Sequence, residues 1–177
     1  MTASMSKPNV QDRLQRRFQR WDSDDSGSLE RSDFEREAAS IAQRMGVSTQ
    51  QAAPLKKALT AMFDDIARDG GANPAGPISR AEYDRAAEVW MGHDENVIRQ
   101  RMRPMVEAIV SMADKDGSGT IDRKEFVAWI SAVGAGDGQA GDAFDSIDTN
   151  GNGSLSADEV LQACVDFHLG RSTFELL

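Results

Sequence analysis

Cysteine is nearly absent: Cys164 is the only one in 177 residues. No intramolecular disulfide can form, and no thiolate cluster can hold a metal. Histidine is almost as scarce, with only His93 and His168, far apart in the chain. Cys164 falls on an apolar stripe, so these residues form no nucleophile–base set, and no Gly-rich phosphate loop follows a strand pattern. The expectation is that the protein is not an enzyme. Long apolar runs are also missing, and the opening Met-Thr-Ala-Ser-Met-Ser-Lys-Pro resembles neither a signal peptide nor a membrane span. A cytoplasmic monomer is therefore expected. Basic residues are in deficit, 20 Lys and Arg against 29 Asp and Glu, for a net charge of −9. That balance argues against nucleic acid and anionic membranes as partners, and agrees with carboxylates gathered to hold cations.

What is present is a repeated acidic, Gly-rich loop. Asp148-Thr-Asn-Gly-Asn-Gly-Ser-Leu-Ser-Ala-Asp-Glu159 matches the twelve-residue EF-hand calcium loop at every defining position. A hard cation of this size takes six to eight oxygens, which alternate residues of a tight loop can supply. Asp148, Asn150 and Asn152 offer side-chain oxygens at positions 1, 3 and 5, and Ser154 its carbonyl at position 7. Glu159 at position 12 closes the shell with both carboxylate oxygens. A second full loop starts at Asp114, with Asp116, Ser118, Thr120 and Glu125 in the ligand positions and Asp122 at position 9. A third starts at Asp22, with Asp24, Ser26, Ser28 and Asp33. Here position 12 is Asp, one methylene shorter than Glu, which suits a smaller six-coordinate ion. Mg²⁺ is thus the expected competitor, above all at this first site.

Between them lies a degenerate loop. Placing Gly76 at position 6 and Ile78 at position 8 puts Gly71, Asn73 and Ala75 at positions 1, 3 and 5, and Glu82 at position 12. Two forward ligands lack a side-chain oxygen, so this hand is read as kept for structure and emptied of metal. Its Ile78 should pair with Leu29 of the first hand, and Ser79 to Glu82 reads as a capping box. Loop starts at 22, 71, 114 and 148 make a fourfold repeat.

Helical spacing fills the intervals. Residues 1–8 look disordered, and Asn9 caps a helix carrying Val10, Leu14, Phe18 and Trp21. Its Arg13, Arg16, Arg17 and Arg20 read as a solvated face. A helix over 47–69 is entered near Pro54, and Pro104 should kink or break a later one. Gly92 makes a short join between an N-terminal pair of hands (9–92) and a C-terminal pair (93–170). Gly134 to Gly141 is a Gly-rich connector, and 171–177 is an apolar tail.

Three good hands, an altered second and the wide early spacing resemble the calerythrin and sarcoplasmic calcium-binding protein family. The resemblance rests on Trp21-Asp22 through Asp33, Asp114 to Glu125, Asp148 to Gly153 and the closing Asp166-Phe-His-Leu-Gly-Arg171. It implies an all-α fold of four EF-hands in two compactly packed lobes, with Ca²⁺ in hands one, three and four. Two roles compete. A Ca²⁺ buffer or transporter needs filled loops and little exposed surface. A sensor needs a methionine-lined groove that opens to a target protein. The eight methionines keep the sensor open, but Met45, Met62, Met102, Met105 and Met112 sit at core-facing helical spacings. The buffer is the favoured expectation.

Overall fold

The computed structural model describes residues 10–134 and 137–172. The expected disordered N-terminus, the Asn9 cap and the tail residues Phe174, Leu176 and Leu177 lie outside these.

Among the described residues, eight α-helices form four helix–loop–helix units. The first is α1 (Val10–Trp21) and α2 (Arg31–Met45), and the second is α3 (Thr49–Gly70) and α4 (Arg80–Met91). The third is α5 (Glu95–Ala113) and α6 (Arg123–Ala132), and the fourth is α7 (Ala140–Ile147) and α8 (Ala157–His168). Each loop ends in a two-residue strand: β1 (Ser28–Leu29), β2 (Ile78–Ser79), β3 (Ile121–Asp122) and β4 (Ser154–Leu155). β1 pairs antiparallel with β2, setting Leu29 opposite Ile78, and β3 with β4, setting Ile121 opposite Leu155. All four of these apolar residues are buried. Each pairing satisfies loop backbone groups and seats an apolar plug under both loops at once.

Local chemistry sets the helix ends. Ser48, Ser79, Asp122 and Ser156 each accept from the backbone N–H three residues on, and the side chains of Gln51, Glu82, Glu125 and Glu159 reach back to the cap. Gly46 ends α2 in the left-handed conformation, which costs glycine nothing. Three expectations are corrected here. α3 is entered at Ser48, well before Pro54, and Pro104 makes no break in α5, which runs from Glu95 to Ala113. Pro54 and Pro104 lie on exposed faces, as do Gln50 and Gln100 four residues earlier. The Gly-rich connector is also shorter than expected, because a 3₁₀ turn over Asp137–Gln139 leads into α7 at Ala140.

One buried cluster runs through the whole molecule, including Phe34, Phe63, Ile98, Ile109, Phe126, Trp129 and Phe144. Trp21 stacks on Phe34 with ring centroids 4.4 Å apart, and Phe34 meets Phe63 edge-on. The α1 arginines depart from the expected solvated face. Arg16 is exposed, but Arg20 donates to the Val133 carbonyl (2.5 Å) and Arg17 contacts His168 Nε2 (3.0 Å). Arg44 donates to the Ala132 carbonyl, and Arg101 pairs with the mostly buried Asp69. These cations join the first two hands to the last two. No helix among the described residues is long and apolar enough to cross a membrane.

Candidate metal centres

Loops one, three and four share a backbone design. The position-1 carboxylate accepts from the N–H of position 5 on one oxygen and of position 6 on the other. Asp22 takes Ser26 and Gly27 at 2.9 and 2.8 Å, and Asp114 takes Ser118 and Gly119 at 3.0 and 2.7 Å. Asp148 takes Asn152 and Gly153 at 3.2 and 2.9 Å. The chain can turn this tightly because positions 4 and 6 both adopt positive φ. Position 4 is Asp25 (54°), Gly117 (74°) and Gly151 (68°), and position 6 is Gly27 (82°), Gly119 (84°) and Gly153 (82°). Asp25 does so with a side chain, in a region that Asp tolerates better than most residues.

The third loop gathers its acids most closely. Oxygens of Asp114, Asp116 and Glu125 lie within 4.8 Å of one another, the spread that ligands 2.3–2.6 Å from one Ca²⁺ would show. Glu125 is buried. One of its oxygens accepts from Lys115 N–H and the other from Asp122 N–H, which aims the carboxylate into the loop. Ser118 Oγ donates to the Thr120 carbonyl, so the position-5 and position-7 oxygens lie side by side. Burial works to raise the Asp114 carboxyl. The N–H groups of Gly119 and Ser118 and the Asp116 side chain outweigh it and hold that carboxyl below its usual range.

The fourth loop brings Asp148, Asn150, Asn152, Ser154 and Glu159 together in the same order. Glu159 accepts from Ser156 N–H and hydroxyl, from Thr149 Oγ1 and from Asn150 Nδ2 at 2.7 Å. Burial acts to raise its carboxyl, and these donors, led by Ser156, leave it lowered. It is a carboxylate at neutral pH, as a cation ligand must be.

The first loop brings Asp22, Asp24, Ser26, Ser28 and Asp33 together as well, but around another partner. Asp33 is fully buried. Its Oδ2 accepts from Glu30 N–H (2.7 Å), and its Oδ1 from Ser23 Oγ (3.0 Å) and Arg36 Nη2 (2.5 Å). The same Arg36 Nη2 lies 3.0 Å from Asp24 Oδ2. The carboxyl of Asp24 is lowered, first by the Ser26 hydroxyl and further by the Ser26 N–H and by Arg36.

The second loop keeps part of the design. Ala75 N–H still donates to Asn73 Oδ1 (3.0 Å), as position 5 does to position 3 in the other loops. Ser79 and Glu82 still cap α4. The turn itself is lost. Gly71 is spent as the left-handed stop of α3 (φ 72°), whereas Asp114 and Asp148 leave their helices at φ −68°. Gly76 lacks the positive φ of its counterparts. Position 4 is Pro74, whose ring fixes φ near −65° and forbids the left-handed turn. The expected survival of the loop frame is thus corrected: pairing and cap survive, the inner turn does not. Pro74 was visible in the sequence; its meaning required knowing the φ at position 4.

Cys164 and His168 are occupied elsewhere. Burial pushes the Cys164 thiol up to about 12. His168 is lowered to about 3, by burial and then by Arg17, while its Nδ1 contacts the Cys164 carbonyl.

Family comparisons agree with this geometry. Residues 11–131 match the EF-hand domain pair and 139–170 the EF-hand domain. Calerythrin of Saccharopolyspora erythraea is 39% identical over 176 residues, 98% of this chain and 99% of that protein. Clytin of Clytia gregaria is 29% identical over 73% of this chain and 65% of its own length. Among solved structures, a Streptomyces coelicolor calcium-binding protein superposes with a TM-score of 0.77 at 23% identity, covering 91% of this chain and 98% of that one. Fourfold helix–loop–helix geometry, two family matches and near-full-length similarity to calerythrin lead to one assignment: the chain belongs to the calerythrin-like EF-hand family of calcium-binding proteins.

Proposed function

We propose that the protein is a cytoplasmic, monomeric Ca²⁺ buffer that takes three ions. Asp22, Asp24, Ser26 and Asp33 hold the first with the Ser28 carbonyl. Asp114, Asp116, Ser118 and Glu125 hold the second with the Thr120 carbonyl. Asp148, Asn150, Asn152 and Glu159 hold the third with the Ser154 carbonyl. The loop at 71–82 takes none, and Mg²⁺ competes chiefly at the first site. The two lobes divide at 9–92 and 93–170.

The observation that carries this reading is the shared turn: a position-1 carboxylate braced by two N–H groups over two left-handed residues, found in loops one, three and four. The buffer role draws support from where the apolar side chains lie. Met45, Met105 and Met112 are buried. Met62 and Met102 line a cavity of about 530 Å³ shared with Trp21, Trp90 and Phe167, between α1, α3, α4, α5 and α8. Among the described residues, the exposed large hydrophobics are Val89 (39%) and Met91 (48%), the second at the edge of this cavity.

Calorimetric Ca²⁺ titration in excess Mg²⁺, run with an environment-sensitive hydrophobic dye, tests both parts. Three ions and no Ca²⁺-specific rise in dye emission are expected. Four equivalent ions would overturn the reading of the second loop. A strong Ca²⁺-specific rise, abolished by an amphipathic peptide, would make the protein a sensor.

A further inference from the structure

Each position-12 residue is followed, one helical turn on, by a residue whose charge divides the chain in two. It is Arg36 in the first hand and Arg85 in the second, but Ala128 in the third and Gln162 in the fourth. Residues three apart on a helix are neighbours, so this side chain stands beside the position-12 carboxylate. In the second hand Arg85 Nε donates to the Gly70 carbonyl (3.0 Å), just before the degenerate loop. In the first hand the guanidinium reaches three loop side chains: Nε to Ser23 Oγ (3.2 Å), and Nη2 to Asp24 Oδ2 (3.0 Å) and Asp33 Oδ1 (2.5 Å). These are positions 2, 3 and 12 of the loop.

We propose that Arg36 is a tethered counter-ion of the first loop, which a divalent ion must displace from Asp24 and Asp33, so that the first site fills last. The inference rests on the first loop being a Ca²⁺ site, as proposed above.

A guanidinium and a divalent ion compete for the same oxygens. Asp24 Oδ2 and Asp33 Oδ1 both lie within hydrogen-bond range of one Arg36 nitrogen, and a ligand oxygen must turn its lone pairs to the metal. Asp33 has little freedom to serve both. Its other oxygen caps α2 through Glu30 N–H, and it lacks the extra methylene that lets Glu125 and Glu159 reach further. The tether also keeps the local concentration of the competing cation constant, whatever the solution holds. Since the Arg36 side chain is 49% exposed, its hold is the modest one of a half-solvated pair. It raises the threshold of the site without closing it. Loops three and four meet no such cation at this position and are set to fill at lower Ca²⁺.

The test uses three amides that report the loops separately. Gly27, Gly119 and Gly153 each donate N–H to the position-1 carboxylate of their own loop, so each amide proton resonance moves when that loop fills. In the wild-type chain Gly27 is expected to shift last. Arg36→Gln should lower the Ca²⁺ concentration at which Gly27 is half shifted by roughly two- to fivefold, leaving Gly119 and Gly153 where they were. Arg36→Lys, which keeps the charge, should recover part of the wild-type threshold. The Arg36 Nε–H should exchange faster with water once Gly27 has shifted. Circular dichroism and Trp21 fluorescence establish that the variants are folded.

If Gly27 titrates identically in wild type and Arg36→Gln, with three ions bound to each, the counter-ion is refuted while the three-site reading stands. If the wild type binds two ions and Arg36→Gln three, the counter-ion is upheld and the three-site reading falls. Two ions in both proteins overturn both.

Discussion

The N-terminal pair of hands and the C-terminal pair share one frame and differ in how their loops are filled. Both pairs join their loops through two-residue antiparallel strands with an apolar residue from each side buried beneath. In the C-terminal pair both inner turns carry the two left-handed residues, Gly117 and Gly119, then Gly151 and Gly153, and both position-12 residues are Glu. In the N-terminal pair one loop has lost the turn at Pro74, and the other ends in a short Asp33 engaged by Arg36. Helix capping and strand pairing are therefore separable from the inner turn of the loop. A hand can keep the first two and lose the third, because the ladder uses backbone groups and the Ser79–Glu82 cap needs neither the forward positions of the loop nor its inner turn.

The comparison breaks most widely if the ions are removed. At free Ca²⁺ a thousandfold above the dissociation constant, each independent site adds roughly 4 kcal/mol, which in a chain this long is on the order of 10 °C in melting temperature. Melting in Ca²⁺ and in chelator, followed by hydrogen exchange, should show that the C-terminal pair loses more than the N-terminal pair. Equal loosening of both would erase the asymmetry.

A second test attacks the joint between the pairs. His168 on α8 contacts Arg17 on α1 and is held at about 3 by burial and by that cation, against an ordinary value near 6.5. The folded state favours neutral His168, so its contribution is full above pH ~6.5. As pH falls from 6.5 toward 3 the unfolded chain takes a proton the folded one refuses, and stability drops by up to about 1.4 kcal/mol per pH unit. Denaturant melts in chelator should show this acid limb, and His168→Gln should flatten it.

Rebuilding the second loop sharpens the contrast further. Gly71→Asp with Ala75→Asp restores the missing oxygens and is expected to bind no fourth ion, because Pro74 still forbids the turn. Adding Pro74→Gly should permit a weak fourth ion, visible as extra heat in calorimetry. Binding without the Pro74 change would show that oxygens alone were lacking.

The smallest effect belongs to Asp33→Glu. The longer side chain should raise the Ca²⁺ over Mg²⁺ preference of the first site by roughly several-fold, read from the Gly27 amide. An unchanged ratio would place the origin of that preference elsewhere, with Arg36 the first alternative.

The loops were legible because every candidate ligand of a site falls within twelve consecutive residues, so composition and spacing alone bring Asp114, Asp116 and Glu125 together. Helix starts were legible for the same local reason at Ser79 and Glu82. Pro54 and Pro104 misled about where helices start and stop, because a helix can carry proline on an exposed face, and exposure is not written in periodicity. Arg17 and Arg20 misled because a helical wheel gives the face of a side chain but not what stands opposite it. Arg36 lies beyond the twelve positions of the first loop, and its role emerges only beside Asp24 and Asp33.

The sequence by itself thus determined four hands, three loops with a complete set of oxygens, one without, and the Leu29–Ile78 pairing of the first two loops, since all of these arise from contacts a few residues apart or from a repeat. Only the tertiary structure decided that α1 arginines fasten one pair of hands to the other, that Met62 and Met102 face a cavity between α1, α3, α4, α5 and α8, and that a guanidinium holds the acids of the first loop. These contacts join elements distant in sequence or, for Arg36 and Asp24, a helix and a loop position twelve residues away, and their energies depend on distance and burial, which no linear pattern contains.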